Sequence, residues 1–235
     1  MRDRLTSEAS LAGYVEPGVE GNEGYESLSA ACQAGNVFRC LAMTTTDQSK
    51  WDRQYADVDG AKAASRFLQE IIDSHHWTIA PGRALDIACG KGRNALFLAS
   101  REFQVTAMDI SSVGLEQGRK QADESLLSIA WQQTDLEQLR LGSAEYDLIV
   151  NINYLQRSLM PQIKAAVKTG GHVIFDTYLI DQQVIGHPKN PGYLLSHNEL
   201  LDHFRDFRVL FYREGKFVDG TGPSFRAGIF AQRRK

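Results

Sequence analysis

One segment constrains the chain more than any other: LDIACGKGRNA, residues 85–95. A short apolar run, residues 84–88, passes through a glycine-rich turn into a helix expected over about 91–101. Glycine lets the backbone turn sharply and approach a ligand closely, and the helix start offers unpaired N–H groups. A lone strand and helix cannot bury both faces of the strand, so this unit needs neighbours, and the sequence supplies them. Ala64, Phe67, Leu68, Ile71 and Ile72 fall at i, i+3, i+4, i+7 and i+8, one face of a helix. Further strands are expected at 104–109, 128–133, 146–151 and 171–178. Ser111 or Ser112 caps a helix after the second strand, although Gly114 and Gly118 weaken it. Another helix, about 157–168, has Pro161 in its first turn and Gly170 after its end. Strands separated by helices of this length imply βαβ units and a parallel sheet.

The carboxyl-terminal part reads differently. Ser196 and Glu199 have capping-box spacing, with Leu195 and Leu200 at the staple positions of a helix ending near Phe204. Residues 207–213 and 226–232 read as strands joined by the loop 214–224, with no helix between them, so they are expected to pair antiparallel. The expected class is α/β, with helices on both faces of a mostly parallel sheet and an antiparallel terminal hairpin.

Composition bounds the partners. The chain has 235 residues, 26 basic and 29 acidic, for a net charge of −3. No basic excess points to nucleic acid or an anionic membrane. No apolar run approaches the roughly 18–20 residues that span a bilayer. Cys32, Cys40 and Cys89 are too few for a disulfide scaffold and lack zinc-site spacing, which fits a reducing cytoplasm and no metal. Residues 1–42 hold scattered glycines (Gly13, Gly18, Gly21, Gly24, Gly35) and no sustained period. They read as a disordered extension, or as upstream sequence ahead of a natural start at Met43, with the folded domain over 43–235.

Four motifs carry the chemistry. Gly90, Gly92 and Ala95 satisfy G-x-G-x-x-A, a dinucleotide pattern that does not by itself choose the cofactor. Asp109 closes the second strand, where a carboxylate can accept from both ribose hydroxyls. Asp135 and Leu136 follow the third strand; an acid there can accept from an adenine amino group, or merely make a turn. The run 151–157 leaves the fourth strand at the same sheet edge. Cys89 reads as a small buried filler.

Together these segments resemble the class I S-adenosylmethionine-dependent methyltransferases, and within them the tellurite-resistance-like small-molecule methyltransferases. DIACGKGRN resembles that family's first motif, MDIS its acidic ribose motif, TDLEQL its adenine motif and YDLIVNINYL its fourth motif. KTGGHVIFDTY is similar to its fifth-strand region, with Thr169 where proline is usual. WDRQYA, with Trp51 and Tyr55, looks like the segment that covers the cofactor. The resemblance implies a Rossmann-like seven-stranded sheet of order 3-2-1-4-5-7-6, a methyltransferase domain over 43–235 and S-adenosylmethionine as cofactor. The cofactor-binding residues so implied are Asp86, Ala88, Gly90, Gly92, Asn94, Asp109, Ile110, Asp135, Leu136 and Asn151. No catalytic residue is assigned. Tyr154, Arg157, Asp176, Tyr178, His187 and Tyr193 are rim candidates, with Arg157 a candidate for gripping an anionic substrate. The expected partner is a small-molecule acceptor such as a thiol or chalcogen oxyanion. The rival readings are an NAD(P)-dependent oxidoreductase and a non-catalytic cofactor-binding module.

Overall fold

The computed structural model describes residues 37–56, 62–218 and 222–234, with side chains from Asp47 onward. Helix α1 runs Val37–Ala56 and α2 Arg66–Ile72. Strand β1 (Arg83–Ile87) leads to α3 (Arg93–Ala99), β2 (Gln104–Asp109) to α4 (Ser112–Glu124), and β3 (Ile129–Gln133) to β4 (Tyr146–Ile152). A 3₁₀ turn at Arg157–Leu159 opens α5 (Met160–Ala166), which runs into β5 (Val167–Tyr178). Two short helices, α6 (Gln182–Ile185) and α7 (Glu199–His203), precede β6 (Arg208–Val218) and β7 (Pro223–Gln232). The helical backbone from Val37 is not foretold by the weak periodicity there; the remaining expectation for residues 1–42 lies outside the described residues.

The seven strands among the described residues form one sheet in the order β3-β2-β1-β4-β5-β7-β6. The first five pair in parallel, and β7 pairs antiparallel with both β5 and β6. Alternation along each strand sends side chains to two cores. Leu85, Ile87, Ile149, Val173 and Phe175 pack with Met160 and Ile163 from α5, Leu200 from α7 and Phe204 at the C-cap of α7. Ala84, Leu148, Val150, Ile174 and Phe230 pack with Phe67, Leu68, Ala95, Leu98 and Leu115 from α2, α3 and α4. The expected class and strand order are borne out.

Three boundaries differ from expectation, each for a physical reason. Gly170 does not end a helix: α5 stops at Ala166, where Val167 turns extended (φ −70°, ψ 131°). Residues 168–171 instead bulge where β5 pairs first with Tyr146 and then, after a register shift, with Leu148. Gly170 has φ +81° there, and a Cβ on Gly171 would lie 3.0 Å from the Asp147 carbonyl oxygen. The terminal hairpin is longer than expected, with pairing continuing to Val218↔Pro223. Gly215 is absorbed into the ladder at φ +135°. Half of the Ser196–Glu199 box forms. Glu199 accepts from the Ser196 amide at 2.8 Å, but Asn198 stands at the N-cap with φ +64° and no side-chain cap bond. Leu195 and Leu200 are both fully buried, as their staple positions require.

Candidate functional site

The carboxyl ends of β1, β2 and β4 converge on the glycine turn. The Cys89 amide donates to the Met108 carbonyl at 3.0 Å, and the Gly92 amide to Cys89 at 2.9 Å, closing the turn against β2. Ala88, Gly90 and Gly92 all have positive φ (54°, 57° and 74°). Only Ala88 meets a steric cost there, on the order of 1–2 kcal/mol. A Cβ on Gly90 would lie 2.6 Å from the Tyr55 hydroxyl, so the ring of α1's Tyr55 lies against this turn. A Cβ on Gly92 would lie 2.3 Å from the Trp131 ring, and one on Gly118 2.6 Å from it. Gly92 therefore has a packing role as well: with Gly118 it makes room for an indole between β3, α3 and α4. That same demand explains Gly118 of α4, whereas at Gly114 a Cβ would lie 3.0 Å from the Tyr55 ring and 3.1 Å from the Gly90 carbonyl oxygen. Cys89 is buried, and burial pushes its thiol well above the ordinary range, as suits a filler.

Asp109 is buried at the end of β2. Its Oδ2 accepts the Gly90 amide at 2.7 Å and its Oδ1 the Ser111 amide at 2.9 Å. Each oxygen keeps a lone pair beyond these bonds. Burial raises its pKa, and the amides of Ser111 and Gly90 oppose the shift. Asp86 lies on the same face, two residues after Ala84 on β1 and paired with Ala107 and Val150. It is fully buried, and its Oδ2 has no hydrogen-bond partner among the described residues. Burial pushes its pKa up to about 7, against the pull of the Arg93 guanidinium. A buried carboxylate oxygen without a partner is costly. It is the feature that a cationic ligand group would complete.

Asn151, paired with Ile87 and so on the opposite face, is also buried. Its Nδ2 donates to the Tyr154 carbonyl at 2.7 Å, while its Oδ1 has no partner among the described residues. The other expected contacts have local duties. Asn94 Oδ1 accepts the Ser65 amide at 3.0 Å, tying α3 to the start of α2. Asp135 takes the Glu137 amide at 3.0 Å and the Gln138 side chain at 2.9 Å, the turn role that its position allowed. Leu136 is buried beside it, and Ile110, half-buried, gives its carbonyl to Gln133 Nε2 at 3.2 Å.

The rim candidates divide sharply. Arg157 is not open to a substrate: it grips both oxygens of Glu199 (2.7 and 2.9 Å) and the carbonyls of Gly192 (3.1 Å) and Leu194 (2.8 Å). Asp176 is buried in an ion pair with Arg226 at 2.6 Å, and the Arg226 guanidinium also covers the Tyr178 ring at 4.4 Å. Arg226 reaches Asn153 Oδ1 at 2.6 Å and so holds the left-handed turn after β4. Tyr154 donates to Gln156 Oε1 at 2.6 Å, and burial raises its pKa. His187 and Tyr193 are exposed. Sequence reasoning missed Asp52, Arg93 and Arg226. An arginine opening the otherwise apolar run RAGIFA was the available signal for a buried ion pair.

The chain is similar to known proteins over part of its length. The model of a methyltransferase domain matches residues 84–171. The ubiquinone biosynthesis O-methyltransferase of Acinetobacter baylyi is 27% identical over 136 residues, covering 55% of this chain and 57% of that protein. The probable S-adenosyl-L-methionine-dependent methyltransferase TehB of Haemophilus influenzae is 26% identical over 152 residues, 62% of this chain and 52% of that protein. The chain thus spans about half the length of these curated relatives. The crystal structure of TehB from Haemophilus influenzae superposes with TM-score 0.59 at 20% identity, covering 71% of this chain and 66% of that one. A structure described for the conversion of a disulfide bond into a thioacetal group during echinomycin biosynthesis gives TM-score 0.63 at 16% identity, covering 80% and 92%. With the strand order, the glycine turn and the acid that ends β2, these likenesses show a chain that is similar over residues 84–171 to a methyltransferase domain and that shares its fold with TehB and other S-adenosylmethionine-dependent methyltransferases.

Proposed function

We propose that the chain transfers a methyl group from S-adenosylmethionine to a small-molecule acceptor that is already nucleophilic, such as a thiolate or a chalcogen oxyanion. The observation that carries the cofactor part is Asp109, buried at the end of β2 and held between the amides of Gly90 and Ser111. In this reading Asp109 takes the ribose hydroxyls, and Asp86 the ammonium of the methionine end. The backbone of Ala88 to Gly92 faces the methionine moiety. Ile110, Asp135 and Leu136 border the adenine, while Asn94 and Asn151 shape the turn and the sheet edge. When bound, the cofactor supplies a methyl group already activated by its sulfonium.

The chain's remaining task is to orient the acceptor and keep water out, and positioning of this kind supplies several kcal/mol. Three of the six rim candidates support a soft acceptor. Arg157 and Asp176 are committed to ion pairs, and the Tyr154 phenol is held protonated by burial. None of these three is poised to take a proton, which an alcohol or amine acceptor would require. S-adenosylhomocysteine release across thiols, selenite, tellurite and simple phenols tests the reading. Turnover of the soft anions alone is expected; turnover confined to the phenols would remove the substrate part. A thermal shift with NADH and none with S-adenosylhomocysteine would remove the cofactor part.

A further inference from the structure

Asp52 and Tyr55 stand three apart on α1 and share one face. Tyr55 lies against the glycine turn, as described. Asp52 does something different. Its Oδ1 accepts the Ser111 hydroxyl at 2.5 Å and the Val113 amide at 3.2 Å. Ser111 is itself the N-cap of α4, its Oγ accepting the Gly114 amide at 3.0 Å. The start of α4 is therefore capped twice, once by its own serine and once by a carboxylate from a distant helix. The serine alone would satisfy an ordinary helix start. The first turn of α4 contains no acid of its own, so Asp52 brings the negative charge that the helix dipole favours there. A third tie, from Gln117 Nε2 to the Tyr55 carbonyl at 3.2 Å, fastens α1 one turn further along α4.

The bonds form one path. Asp52 holds the Ser111 hydroxyl, the Ser111 amide holds Asp109 Oδ1, and Asp109 Oδ2 holds the Gly90 amide that lies under Tyr55. A displacement of α1 thus loosens Ser111 and Asp109 together.

We propose that Asp52 is a positioning residue: by capping α4 from α1 it fixes Ser111, and through Ser111 it sets both the orientation of Asp109 and the seat of Tyr55 on the glycine turn. This rests on the assignment of Asp109 to the ribose.

The test is calorimetric titration of the full chain with S-adenosylhomocysteine in a double-mutant cycle of D52A and S111A, with D52N and R53A beside it. D52A should weaken binding about tenfold, the scale of a lost charged hydrogen bond. D52N, whose amide oxygen can accept the same two bonds, should recover most of that affinity. R53A alters an exposed neighbour on the same helix and should bind as wild type. The two alanine changes should be non-additive by roughly fivefold or more, because they break one shared bond. Amide exchange over residues 47–56 of the free protein should quicken in both D52A and S111A. An additive cycle, or D52A binding like wild type with unaltered exchange, overturns the proposal. If D52A does not fold, S111A decides, since it keeps the amide to Asp109 and removes only the hydroxyl; wild-type affinity and exchange in S111A overturn the proposal as well. A wild-type protein that binds no S-adenosylhomocysteine fails at the earlier step and removes the cofactor reading, and this proposal with it.

Discussion

The amide of Gly90 donates to Oδ2 of Asp109 at 2.7 Å across 19 residues of sequence, so the turn after β1 and the end of β2 share one carboxylate. This bond explains why two separate motifs act as a unit. It also gives D109A two effects. S-adenosylhomocysteine binding should weaken by about 1–3 kcal/mol, roughly five- to 150-fold, and the free protein should lose stability because two buried amides are left unpaired. Calorimetry and thermal unfolding on the same samples check both, and unchanged affinity would remove Asp109 from the site.

Asp86 should make cofactor binding depend on pH near neutrality. Its pKa is raised by burial to about 7, above its unfolded value. The native state therefore holds a proton that the unfolded state has released. That contribution to stability is fully present below about pH 4 and is lost as pH rises towards 7, a change on the order of a few kcal/mol at most. A cationic ligand group favours the ionised form. Affinity for S-adenosylmethionine should rise from pH 6 to pH 8, with proton release on binding. Titrations in two buffers of different ionisation enthalpy measure the release, and D86N should abolish both the release and the pH slope.

Trp131 should account for the intolerance of two glycines. G92A places a Cβ 2.3 Å from the indole, and G118A places one 2.6 Å from it. Each should cost about 1–3 kcal/mol, with a further penalty at Gly92 for its positive φ. In a W131L background the G118A cost should shrink, while G92A should keep the backbone part. Denaturant midpoints of the four variants and the single W131L control decide this.

Arg157 should prove structural. R157A and E199A should each lower stability by about 1 kcal/mol, discounted because the arginine is well exposed, and the double variant should cost little more than either. Proteolysis within residues 190–198 should accelerate in both. If R157A instead leaves stability unchanged and abolishes turnover of anionic acceptors, the assignment of Arg157 to Glu199 fails.

Much of this architecture was legible because its strands sit between helices of clear period. The boundaries of β2 are readable from its own residues, and the limits of β1, β3 and β4 shift by one residue at most. Errors arose where a residue answered to a distant partner. Gly170 looks like a helix terminator, yet its geometry is set by the junction with β4 and by Arg233, whose carbonyl accepts the Gly170 amide. Glu199 does accept the Ser196 amide as its spacing suggests, yet Arg157, 42 residues away, takes the same carboxylate, and Asn198 rather than Ser196 stands at the N-cap. At the site, Asp86 and Asp109 are readable from their places on strands. Asp52 was not, because its meaning depends on where α1 lies, which no local pattern states. Arg157 misled for the opposite reason: its bonding is satisfied by carbonyls and a carboxylate that periodicity cannot see.

The interior position of β7 bears on how the protein is made. β7 lies between β5 and β6 yet is synthesised after both. Until it emerges from the ribosome, β5 presents a naked hydrogen-bonding edge and β6 has no sheet to join. A nascent polypeptide halted before residue 223 would carry that open edge into the crowded cell, where it invites pairing between neighbouring molecules.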